Sequence, residues 1–297
     1  MHHSNFKRAV IYMALYATIQ SIVWAMVRHL GEDLSTSTLF FFRNFIGFLT
    51  IIPLISKNGL KVFHTEHIKL HLLRAFAALG GGISIFYAVS HAPLATVVAI
   101  TFAAPIFASL FAIYVLGEVM NKAQLYSIAF GFLGVMIVLR PSLEIEVSGL
   151  FSAVVAAIMT AIAFLTVKKL SYSENSSTVI AYPFLLILPI SLIMAYLDWT
   201  APQMKHIPLL LLMGVGISAG QYCMVKAFSL ADASAVLPFD YLRLLVAIII
   251  GSYFFNDVVD IWVVVGAAII LLNSLYVAKS GKKQTDKNEL AGDKTYE

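Results

Sequence analysis

The sequence predicts an all-α integral membrane protein: ten transmembrane helices arranged as two inverted five-helix repeats. Three observations carry that prediction. The 297-residue chain is 60% hydrophobic and only 12% charged, whereas soluble domains carry about a quarter charged residues. Ten separate stretches are each long and apolar enough to cross a bilayer, which takes about 20 residues. The chain also repeats itself at an offset of 139 residues: Ala88, Ser90 and Ala92 fall on Ala227, Ser229 and Ala231, Glu118 on Asp257, and Arg140 on Lys279.

The first stretch, 8–28, follows Lys7 and Arg8 as the apolar core of a signal peptide would. It is too long for one and no small-x-small cleavage site precedes Arg28, so it reads as a retained helix. Stretches 36–56, 71–91, 95–116 and 122–140 complete a first repeat over 8–140. Stretches 147–168, 177–197, 207–228, 235–255 and 260–279 form the second, over 147–279. Only His91-Ala92-Pro93-Leu94 separates the third stretch from the fourth, and only Ser229 to Ser234 separates the eighth from the ninth, so both pairs should be antiparallel hairpins. Glycines at 80–82, at 131 and 134, and at 214, 216 and 220 allow close helix packing in lipid, where small residues let backbones approach. The polar tail, 280–297, is expected to be disordered and cytoplasmic.

Basic residues set the orientation. With the N-terminus inside, Lys7, Arg8, Lys57, Lys61, Lys69, Lys122, Lys168, Lys169 and the lysines from Lys279 onward lie inside, against Arg28, Arg140 and Lys205 outside. Both termini should therefore be cytoplasmic. Five helices per repeat invert the second against the first, an architecture that places a solute site near the midplane between the halves. The net charge of +4 comes from these loops and does not indicate nucleic acid. The single cysteine, Cys223, excludes an intrachain disulfide and a cysteine-based zinc cluster. His-Glu-x-x-His, Gly-x-Ser-x-Gly and the phosphate-binding Gly-x-x-x-x-Gly-Lys-Ser/Thr are all absent, so neither a membrane enzyme nor self-contained ATP hydrolysis is supported, and no cofactor or metal is expected.

Charges inside apolar stretches mark candidate function, because they are costly there. Arg243 lies eight residues into the ninth stretch, with Asp240 one turn before it and Pro238 preceding both. The two are either a working site or an internal ion pair that locks the helix. Pro238 should loosen the first turn by removing a backbone donor. Arg43, flanked by Asn44, has no opposite charge near it in sequence and suits a solute carboxylate, or else snorkels to headgroups. Tyr16, Gln20 and Trp24 form a stripe on the first helix. Ser218, Tyr222 and Lys226, with Gln221 beside them, form one on the eighth, and Ser84, Tyr87 and His91 share a face of the third. Such stripes suit a solute with a flat ring, or an interfacial belt. The expected cavity is lined by Gln20, Trp24, Arg43, Tyr87, Tyr222, Asp240, Tyr241 and Arg243. Glu118 and Asp257 should cap the helices that follow them. His64, His67 and His71, with Lys61 and Lys69 among them, read as a basic surface on anionic lipid rather than a metal site.

Gly117-Glu118 ending the fourth stretch, Asn256-Asp257 ending the ninth and the two five-helix repeats resemble the drug/metabolite transporter superfamily, EamA branch. The likeness covers all but the tail. Lys226-Ala-Phe-Ser-Leu-Ala-Asp-Ala-Ser-Ala235 followed by Pro238-Phe-Asp-Tyr-Leu242 is similar to a subgroup of bacterial S-adenosylmethionine uptake carriers, riboflavin carriers and metallophore exporters. The family commonly has Glu where this chain has Asp257. The resemblance implies a bacterial inner-membrane secondary transporter of a small organic metabolite, with S-adenosylmethionine-like uptake foremost; the alternatives are an exporter or carrier of riboflavin, an amino acid or a metallophore, and, last, a non-transporting membrane scaffold. Its partners would be a small-molecule substrate and the lipid bilayer. Direction, coupling ion and oligomeric state are not encoded in any motif.

Overall fold

The structure, a computed structural model, describes residues 2–91, 94–118, 120, 122–140, 147–255, 259–273 and 276. Asn256, Asp257 and the tail lie outside the described residues. Every described segment between short turns is helical, and no strand occurs among the described residues. The helices are α1 His2–Leu30, α2 Thr36–Asn58, α3 Ile68–His91, α4 Leu94–Thr101, α5 Ala104–Leu116, α6 Lys122–Leu139, α7 Val147–Ser173, α8 Ser176–Leu197, α9 Ile207–Leu230, α10 Ala233–Val236, α11 Leu242–Phe254 and α12 Ile261–Asn273. Among the described residues, eight helical spans are long and apolar enough to cross a membrane, and α5 and α12 are shorter apolar helices. Lipid offers no partner for backbone N–H and C=O groups, so apolar stretches of this length fold as helices that satisfy their own.

Two predicted helices are broken. The fourth stretch divides at Phe102 and Ala103 into α4 and α5, because Pro105 occupies the first turn of α5 and cannot donate back into α4. The ninth runs α10, a 3₁₀ turn over Leu237–Tyr241 that begins around Pro238, and then α11. Proline at the start of a tighter turn has no N–H to leave unsatisfied.

α1 packs on α9 and α3 on α7. α2 lies on α8 and α9, α3 on α8, α1 on α11, and α7 on α4 and α5. Counting by predicted stretch, exchanging the first five for the last five maps each of these contacts onto itself or onto another of them. Glycines set the separations. A Cβ on Gly214 would stand 2.4 Å from Ile46 Cβ, one on Gly47 2.4 Å from Phe184 Cε1, and one on Gly266 2.6 Å from the Gly134 carbonyl oxygen. The last contact is with backbone, which has no rotamer to yield. Gly266→Ala should therefore part α6 from α12 and destabilise by about 1–3 kcal/mol, the usual effect of overpacking. A melting curve in detergent checks it, and an unchanged midpoint would show that the helices slide freely.

Bonds join the two halves at both ends of the bundle. At the end where α1 begins, His71 Nε2 meets Glu174 Oε2 at 2.8 Å, and Tyr182 donates to the Phe63 carbonyl at 2.7 Å. Thr65 also donates to Glu174. At the other end Asp33 accepts from Lys205 at 2.7 Å and His206 at 2.9 Å, and Arg140 pairs with Asp260. The Lys205 and His206 bonds hold the Asp33 carboxyl below the usual carboxylate range.

Candidate functional site

The two broken helices meet at their breaks. At the 139-residue offset, Thr101 and Phe102 are the counterparts of Asp240 and Tyr241. Phe102 and Tyr241 stack at 6.3 Å between ring centroids, and the Arg243 guanidinium lies over Phe102 at 4.7 Å. One interruption from each half thus comes to one place, deep in the bundle. Interrupted helices free backbone groups and admit charge at membrane depth, which is why transporter sites are built on them.

Asp240 is fully buried, and its Oδ2 is 3.3 Å from Arg243 Nη2. The pair is close but poorly aligned, since neither carboxylate oxygen of Asp240 nor Nε of Arg243 has a hydrogen-bond partner. A buried ion pair repays its desolvation only when hydrogen bonds satisfy the remaining lone pairs and protons. This one leaves both partners with capacity for a further polar group. Arg243 keeps 21% of its side chain exposed, and its carbonyl accepts from Ser21 at 2.6 Å, tying α11 to α1.

α1 brings the stripe predicted for it to the same region. Tyr16 and Gln20 are buried where α1 crosses Gly220 of α9, and Tyr16 lies within electrostatic range of Asp240, Arg243 and Arg74. Trp24, one turn on, is 48% exposed. The opposite stripe of α1, Ile11, Leu15 and Ile22, is apolar and exposed, as a lipid face must be. On α2, Arg43 stacks over Phe40 at 4.6 Å with its Nε buried and unpartnered. Asn44 donates to the Phe40 carbonyl of its own helix and so does not hold Arg43.

Arg74 is not among the residues the sequence singles out. It is 3% exposed and donates to the Val179 carbonyl and to Gln221 Oε1, both at 2.6 Å. A lone arginine three residues inside an apolar stretch is the signal that points to it. Its closeness to the loop lysines disguises it as one of them. Gln221, beside Tyr222 in sequence, thus bonds across the halves.

Three of the residues expected at the cavity differ from the others in their setting. Tyr222 is exposed on the stripe of Leu211 and Val215, edge-on to Tyr12 and under Lys226. Tyr87 is exposed on the stripe of Phe76 and Ile83, stacked on His91 at 4.1 Å. Tyr241 is fully buried between α6 and α12, where it fills the space beside Gly131. Periodicity names the members of a stripe but not which way the stripe points. Single cysteines in a Cys223→Ala background should be labelled from water at Trp24, whereas those at Tyr222 and Tyr87 should resist charged reagents because they face lipid. Equal labelling at all three would place the α9 and α3 stripes on an aqueous surface.

Glu118 accepts from the Ala233 and Ser234 amides at 2.8 and 3.0 Å and from the Ser234 hydroxyl at 2.9 Å. These donors open α10 in the other half, not the helix that follows Glu118, so its described bonds run across the repeats. Asp257 lies outside the described residues. Lys168, also buried, donates to the Phe228 and Ala231 carbonyls that end α9. Among the described residues, no group of three His, Cys, Asp or Glu side chains is placed to hold a metal ion, and His71 is engaged with Glu174 and stacked on Tyr182.

A protein-family model described as the EamA-like transporter family matches this chain twice, over residues 7–140 and 147–278. An S-adenosylmethionine uptake transporter of Rickettsia prowazekii is 27% identical over 279 residues, 94% of this chain and 95% of that one. A riboflavin transporter of Vibrio cholerae is 30% identical over 95% of this chain and 97% of its own. Another, of Brucella anthropi, is 31% identical over 82% and 89%. A solved crystal structure, 14% identical, superimposes with a TM-score of 0.77 over 93% of this chain and 98% of that chain, which speaks to the fold alone.

Proposed function

From the premise that the chain belongs to the EamA-like transporter family, we propose that it is a secondary transporter that takes up a small organic metabolite by alternating access, with S-adenosylmethionine or a close analogue as the first candidate. The observation that carries this reading is the Asp240–Arg243 pair at the meeting of the two broken helices, buried yet short of hydrogen bonds. A zwitterionic solute completes it. Its amino or sulfonium group meets the carboxylate, its carboxylate meets a guanidinium, and its flat base has the exposed Trp24 to stack on. The reading also takes the chain as ten spans in two inverted repeats, with both termini on the cytoplasmic side of a bacterial inner membrane. The loop lysines and the exchange of contacts between halves support this. On that topology the His71–Glu174 and Glu118–Ala233 bonds lie at the inner end.

The second reading is riboflavin, favoured by relatives at 30% and 31% identity that bear that name. A melting screen of purified protein against S-adenosylmethionine, riboflavin, amino acids and nucleosides separates the two, since a ligand that binds the folded state raises its midpoint. S-Adenosylmethionine should give the largest shift and should enter proteoliposomes. A shift with riboflavin alone would transfer the assignment to the flavin. A reporter fused after Lys279 that is active only outside the cell would overturn the topology.

A further inference from the structure

Among the described residues, Arg43, Arg74, Asp240 and Arg243 are charged side chains inside their helices. Asp240 pairs with Arg243. Arg43 has Phe40, and Arg74 has two neutral oxygens. Arg74 therefore carries a buried full charge with no carboxylate in contact among the described residues. Arginine holds its proton under all physiological conditions, so the missing negative charge must come from elsewhere. Arg74 is also a tie between the halves: it sits on α3 and its acceptors on α8 and α9. It is six residues into α3, about 9 Å from the helix start at 1.5 Å per residue, on the side of Tyr16 away from the exposed Trp24.

Resting on the solute reading above, we infer that Arg74 is the residue that reads the solute's negative group, and that the solute displaces Gln221 from it. The amide oxygen of Gln221 holds one arm of the guanidinium fork as a neutral stand-in. A carboxylate or phosphate binds the same fork as a charged and bidentate partner and so outcompetes the amide. When it does, the bond between α3 and α9 is lost, and the halves are freer to part at the end where α1 begins. The solute thereby binds the parted state better than the tied one, the differential affinity that a ligand needs to drive a conformational change. The substrate class that follows is an anionic or zwitterionic metabolite, distinguished from its neutral or decarboxylated analogue at this one residue.

Two matched ligand pairs test this by melting shift and by competition binding: S-adenosylmethionine with its decarboxylated analogue, and flavin mononucleotide with riboflavin. The parent should prefer the member that carries the carboxylate or phosphate in whichever pair binds. Arg74→Gln should lower that preference by about tenfold, the worth of one charge-assisted bond, while leaving the other member's affinity unchanged. Gln221→Ala, which removes the competitor, should tighten the carboxylate- or phosphate-bearing member alone. If Arg74 is only a strut, Arg74→Gln lowers both members equally and Gln221→Ala weakens both, which overturns the inference. A parent that ignores the carboxylate and the phosphate alike also overturns it. Discrimination within the flavin pair and no binding of S-adenosylmethionine would sink the proposed solute but leave Arg74 in its role. Binding of S-adenosylmethionine unaltered by Arg74→Gln would do the reverse.

Discussion

Arg243→Gln alone should destabilise the protein by about 3–5 kcal/mol, because it leaves the Asp240 carboxylate buried without a counter-charge. Asp240→Asn together with Arg243→Gln should recover most of that loss and fold at least as well as the parent. The geometry explains the recovery: the ions approach at 3.3 Å, yet both Asp240 oxygens lack a donor. The native pair thus bears the desolvation of two ions with little hydrogen-bond return, and its neutral replacement does not. Function should go the other way. The double variant should reach the membrane, melt as a folded protein and bind solute far more weakly, since the carboxylate that meets the solute's cationic group is gone and Arg243 with it. Melting curves and uptake into proteoliposomes on the same preparation measure both. Transport by the double variant at the parent rate would show that the two charges serve only each other.

Glu118→Ala should be comparably damaging to the fold and mild for solute affinity. Glu118 satisfies two amides and a hydroxyl at the start of α10, all buried, and each buried donor left without its acceptor costs about 1–3 kcal/mol. The loss should exceed the roughly 1 kcal/mol of an ordinary helix cap, because this cap joins two halves of the molecule. Lys168 lies within electrostatic range of Glu118 and would lose part of its compensation too. Glu118→Gln keeps an acceptor and should lie between parent and alanine. A Glu118→Gln protein as stable as the parent but unable to use a proton gradient would assign Glu118 to coupling instead.

Sequence determined the class of this protein because the constraint involved is local. A stretch of about 20 apolar residues in lipid has helix as its only way to satisfy its backbone, so the eight long spans stand where hydropathy puts them. The 139-residue register, Pro238 at the start of a loosened turn, and Asp240 with Arg243 as charges at membrane depth are likewise properties of neighbouring residues. The break at Phe102 had its local cue in Pro105, which the unbroken run of apolar residues hides. What the chain could not display is direction. A stripe spaced by three and four is the same whether it faces a partner helix, water or lipid. Tyr16 and Gln20 turn toward the interior while Tyr222 is exposed, because glycines at 216 and 220 let α1 dock on one face of α9. Partnership across the halves was hidden for the same reason. Glu118 finds its donors 115 and 116 residues away, and Arg74 finds Gln221 147 residues away. Those pairings arise only when two helix pairs from different repeats pack side by side, since packing, not periodicity, decides which polar groups share a space from which water is excluded.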